Sequence, residues 1–156
     1  MPWKLKFGPQ VARDSAGKGQ ACTLATTAVV ALCGQVENGK PFAPINAVSH
    51  ITFGDQALEQ EEFSLKYTAT GVMLNNSANS TWAALHEMLF GAYQDEGNVP
   101  LSLAGGALVS AFAYVTDFYV VPKRFTPGFE HKLSPRSLFL VYVVLALVLG
   151  LSRRRK

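Results

Sequence analysis

Asn75, Asn76, Asn79, His86 and Glu87 all fall within one stretch, Tyr67 to Tyr93, that is otherwise apolar enough to cross a bilayer (YTATGVMLNNSANSTWAALHEMLFGAY). With Asp117, and with Asn46 and His50 as additional candidates, they are the side chains whose chemistry stands out from the chain. Read as a helix, the stretch sets Asn75, Asn79, Trp82 and His86 on one stripe. Asn76, Ser80, Ala83 and Glu87 take the adjoining stripe, so the polar groups share a flank. Lipid cannot cover that flank, because each unsatisfied polar group in hydrocarbon costs several kcal/mol. It must face other helices, a water-filled cavity or the soluble phase.

The chemistry open to these residues is limited. Neighbours on a helix diverge by about 100°, so His86 and Glu87 do not ligate one ion from one face. His, Glu and Asp suit a divalent metal, yet His50 or Asp117 would have to be brought close by the fold. No HExxH or paired ExxH spacing supports that, and neither a metal nor a cofactor is expected. A simpler account puts His86 and Glu87 near a helix end, wetted by lipid headgroups. The asparagines serve either as interhelical hydrogen-bonding groups or as the lining of a hydrated path. Asp117 is expected to pair with a basic group or to wet near Lys123 and Arg124; a proton relay is the sharper alternative. Nucleophilic catalysis has no GxSxG elbow, and a non-enzymatic role is the expectation.

The elements that must position these groups follow from composition. Of the 156 residues, 49% are hydrophobic and only 16% are charged, against about 25% charged in a soluble domain. The missing charge indicates burial in lipid. Ser137–Leu151 (SLFLVYVVLALVLGL) is an unbroken apolar run ending in Arg153, Arg154, Arg155 and Lys156, a stop-transfer and lipid-anchoring tail. Leu101–Val121 is a second span, with Ser102, Gly106, Ser110 and Ala113 on one face, a spacing that lets helix backbones approach. Ala21–Val36 is the weakest span; its helix can begin nearer Val11, with Lys18 snorkelling to water. Pro44 and Gly54 bracket a helix too short to cross, read as interfacial or re-entrant.

The fold expected is therefore all-α: one membrane domain over residues 1–156, with spans near 18–36, 67–93, 101–121 and 134–152 and the short helix near 44–54. The polar helix 67–93 is expected to pack on the small-residue face of 101–121. Four spans place both termini on one side. Eight Lys and Arg then lie inside and six outside, a slight preference for cytoplasmic termini. Basic clusters beside apolar runs suit anionic headgroups, and the aromatics do not alternate with the basic residues as nucleic-acid binding would ask. Trp3 and Phe7 are placed to sit at an interface. Cys22 and Cys33 lie about 16 Å apart on a straight helix, too far to bridge.

The stretches NAVSHITFGDQA (Asn46–Ala57) and VVPKRFTPGFEHKLS (Val120–Ser134) resemble small, uncharacterised multi-pass inner-membrane proteins of bacteria. The resemblance implies a location in the bacterial cytoplasmic membrane and brings no catalytic role. Two functions from different classes follow. One is a structural or accessory membrane protein, alone, as a homo-oligomer or with a membrane-protein partner. The other is a small transporter or channel-like protein with a path lined by Asn75, Asn79, His86 and Asp117. A metal-dependent enzyme at His50, His86 and Glu87 is a distant third.

Overall fold

A computed structural model describes residues 4–152; Trp3 and the Arg153–Lys156 tail lie outside the described residues. The described chain is helical with no strand. Its long elements are α1 (Pro9–Asn38), α4 (Leu65–Asp95), α5 (Val99–Val115) and α6 (Pro135–Leu151), with short α2 (Ala43–Val48) and α3 (His50–Phe53) between the first two.

Local chemistry sets the ends. Pro9 opens α1, where a missing N–H costs nothing. Gly39, at φ +66°, closes it, its N–H bonding to the Gln35 carbonyl and the Lys40 N–H to that of Gly34. The Ser64 hydroxyl caps α4 by accepting from the Tyr67 N–H, while the Thr68 hydroxyl accepts from the Ser64 N–H. Asn98 and Ser134 cap α5 and α6 in the same way. A π-turn, Thr116–Val120, extends α5 until Pro122 ends the run.

The long helices form an up-and-down bundle. α1 packs antiparallel along α4 and α5 along α6, and α1–α6 and α4–α5 contacts close the ring. The two ends of the described chain therefore lie at the same end of the bundle. α2, α3 and the Lys123–His131 turns gather at the other.

Two expectations need correction. The single short helix near 44–54 is two helices, and α2 does not lie on the surface: all six of its residues are buried between α1 and α4. Gly34 and Gly71 admit it, since a Cβ there would come 2.8 Å from Pro44 Cγ and 2.2 Å from the Ile45 carbonyl oxygen. The small-residue face of α5 meets α6 through Gly106 and Ser110, while α4 reaches it at the Ser102 carbonyl. A Cβ on Gly106 would stand 2.3 Å from the Ala146 carbonyl oxygen, and Ser110 donates to the Tyr142 carbonyl at 2.6 Å. Gly105, next to that face, also receives α4, taking the Phe90 ring against its bare Cα.

The interior holds Cys22, Val30, Ala83, Phe90, Leu145 and Leu149. Large apolar side chains also point outward: Leu24 is 74% exposed, Leu32 64% and Phe139 71%. Two helices, α1 and α5 with its π-turn, are long and apolar enough to cross a membrane; α6 is apolar but shorter, and α4 is not among them. Four spans are thus not established by length and composition.

Candidate functional site

Lys18 sits nine residues into α1, and its side chain is only 3% exposed. It does not snorkel. Its ammonium donates to Glu87 Oε2 at 2.7 Å and to Gln94 Oε1 at 2.7 Å, and lies 3.1 Å from His86 Nδ1. An ammonium has three protons and no lone pair, so those three acceptors satisfy it. His86 Nδ1 must then present its lone pair, which puts the ring proton on Nε2. That atom lies 3.1 Å from the Ser102 carbonyl, the acceptor such a proton needs. The arrangement fits a neutral imidazole, fully buried, bridging α1 to α5.

Glu87 is shared. Its other oxygen, Oε1, accepts from Lys6 at 2.6 Å, and Lys6 also reaches Asp95 at 2.6 Å and Asp14 at 3.7 Å. Burial works to lower the Lys6 pKa, but its bonds to Asp95 and Glu87 outweigh that and raise it above the ordinary lysine value. Gly91, one turn after Glu87, leaves room for the carboxylate: a Cβ there would meet Oε1 at 2.2 Å. Gln94 passes the network to α6 through the Gly150 carbonyl at 3.0 Å, which Ser102 Oγ also reaches at 2.8 Å. One cluster thereby joins all the long helices. His86 and Glu87 are not exposed at a helix end; they are buried, at 0% and 3% exposure.

A second, neutral set lies midway along α1 and α4. Asn75 donates to the Thr26 and Thr27 hydroxyls at 3.2 and 3.1 Å. Asn79 donates to Thr26 at 3.1 Å and to Asn75 Oδ1 at 3.2 Å, and Thr23 donates to Asn76 Oδ1 at 3.1 Å. Asp117 belongs to the other helix pair. It accepts from the Tyr142 hydroxyl at 2.7 Å, a partner 25 residues on, in place of the expected Lys123 or Arg124.

Asn75, Asn79 and Asp117 do converge. With Thr26, Trp82 and Tyr142 they line a cavity of about 40 Å³, and His86 is not among its walls. Asn46 is a clamp: its amide holds the Gln60 and Glu62 carbonyls at 3.1 and 2.8 Å and accepts from Thr68 at 2.6 Å. His50 Nδ1 bonds to the Ala47 carbonyl at 2.9 Å, and its ring stands edge-on to His131. Ile45 meets Gly71, and His86 lies fifteen residues further along α4, roughly 22 Å away. His50 and His86 are therefore not brought together, and among the described residues no group of three or more His, Cys, Asp or Glu is placed to hold a metal.

Sequence reasoning missed Lys18, Lys6, Gln94 and Tyr142 as partners. The signal available was a basic residue set inside the apolar pattern of α1 and a single acid, Glu87, inside the apolar pattern of α4. Comparison with family models, curated proteins and solved structures gave no match.

Proposed function

We propose that the protein is an integral, multi-pass membrane protein of the bacterial inner membrane with a structural or accessory role. Its four long helices span the bilayer with both termini in the cytoplasm. At 1.5 Å per residue α1, α4, α5 with its π-turn, and α6 run roughly 45, 46, 33 and 26 Å, against a hydrocarbon core of about 30 Å. Exposed Leu24, Leu32 and Phe139 suit acyl chains, and Lys123, Arg124, Lys132 and Arg136 at one end suit anionic headgroups.

The observation that carries the structural role is the pairing of the intramembrane ionisable groups: Lys18, His86, Glu87 and Asp117 all find partners inside the chain. Such residues are retained in membranes either as pathways or as interhelical ties, and here they tie. The transporter reading has one observation in its favour, the cavity shared by Asn75, Asn79 and Asp117. At about 10–15 Å³ per water it holds about three or four molecules, and His86 is not among its walls.

Single cysteines at positions 75, 79, 86 and 117, on a background with Cys22 and Cys33 replaced by Ala, separate the two. In intact membranes all four are expected to resist a membrane-impermeant thiol reagent. Labelling of a contiguous set, in variants that insert correctly, would replace the structural role with a transport path.

A further inference from the structure

The outer side of the α1–α4 seam carries a groove of about 480 Å³ whose walls include Thr23, Thr70, Met73, Asn76 and Ser77. Asn76 lies eleven residues, roughly 16 Å, inside α4 from Leu65, at the depth where the neighbouring outward side chains, Leu24 and Met73, are apolar. Its carboxamide oxygen takes the Thr23 hydroxyl. Among the described residues its N–H groups reach no acceptor, and the Thr70 hydroxyl has no hydrogen-bond partner either. Ser77 and Thr81, on the same exposed side, turn their hydroxyls back onto carbonyls of their own helix. The groove thus holds donors that acyl chains cannot satisfy.

Resting on the membrane-spanning reading above, we infer that this groove is the interface at which a second copy of the chain docks, α4 against α4, through reciprocal Asn76 hydrogen bonds. The occupant follows from the chemistry of the groove. A carboxamide is both donor and acceptor, so two of them facing each other across a twofold axis satisfy one another, as an isologous contact requires. A hydroxyl such as that of Thr70 does the same. No charged residue lines the groove, so two copies meet there without repulsion. Val72, Met73 and Leu74 supply the apolar part of the walls, and the polar pair supplies the register. A lipid molecule offers no acceptor at this depth. A different membrane protein would have to bring one of its own.

The full-length chain carrying Ser77→Cys, in native membranes, tests this by oxidative cross-linking. Ser77 is exposed and its substitution nearly isosteric, and the buried Cys22 and Cys33 make the unsubstituted chain the blank. A disulfide-linked dimer is expected from Ser77→Cys and not from Leu147→Cys on α6. Adding Asn76→Leu to Ser77→Cys is expected to lower the dimer yield about three- to eightfold, the effect of losing two membrane hydrogen bonds, while Asn76→Gln retains most of it. Equal cross-linking at 147, an adduct with a different protein, or no dimer at 77 from an inserted chain would each overturn the inference. The outcome is independent of the interior labelling at 75, 79, 86 and 117. A dimer with a labelled interior leaves this interface standing and removes the structural role; a protected interior without a dimer does the reverse.

Discussion

Two polar joints hold the α1–α4 seam, and they are of different kinds. Toward the end that carries residue 4, an ammonium, a carboxylate and an imidazole are locked together, with second partners on α5 and α6. Midway along the seam, neutral amides meet neutral hydroxyls of the facing helix. A buried charge without its partner is far more costly than an unpaired amide, so the first joint tolerates no partial version of itself. The second can lose one bond and keep the rest. Specificity of helix pairing therefore concentrates in the charged joint and adhesion in the neutral one.

Breaking the charged joint gives the largest expected effect. Lys18→Met leaves His86 Nδ1 and Gln94 Oε1 without their donor and Glu87 with Lys6 alone; it is expected to cost about 3–5 kcal/mol, read from reversible unfolding in mixed micelles. Combining it with Glu87→Gln should cost less than the two single losses added, since neighbours in one network couple. A loss below about 1 kcal/mol for Lys18→Met would erase the difference between the joints. Asn79→Val tests the other side of it. The expected loss is about 0.6 kcal/mol and at most about 1.7, the range for interhelical hydrogen bonds in membranes. A loss as large as that of Lys18→Met would mean that the neutral joint is equally indispensable.

The smallest effect concerns an exposed tie outside both joints. Glu37 accepts from the Ser134 hydroxyl, the Ser137 hydroxyl and the Ser134 N–H, and these hold its carboxyl below the ordinary carboxylate range. A lowered pKa makes this stabilisation complete above the unfolded value, near 4.5, and removes it as pH falls through the folded one. Glu37→Gln is accordingly expected to lower stability slightly at neutral pH and to flatten the acid limb, the difference from the unsubstituted chain vanishing as pH falls through the folded pKa. An unaltered acid limb would show that the carboxylate contributes nothing to holding α1 on α6.

Element ends were legible in the sequence because they are written in local chemistry. Pro44, Gly54 and Pro122 act within a turn of themselves, and the structure places helix boundaries at or beside them. The polar flank of α4 was legible for the same reason: its 3.6-residue period needs no knowledge of the neighbour. Which side chain faces that flank is a long-range fact. Lys18 and Glu87 are 69 residues apart and Tyr142 lies 25 beyond Asp117, and neither separation has a period to follow. Lys18 read as snorkelling because the sequence places it near the start of an apolar run. The helix begins nine residues before it and carries it inside.

That separation of 69 residues also fixes an order of events during synthesis. At about 5–20 residues per second, Lys18 leaves the ribosome roughly 3–14 s before the carboxylate that neutralises it. Over that interval a hydrocarbon environment for its ammonium is strongly unfavourable. In a bilayer, α1 cannot settle as an isolated span and must wait in a hydrated or interfacial position until α4 is made. On the membrane-spanning reading proposed above, the first helix of the chain is committed to its final place by a residue in a later one, and the two insert as a pair.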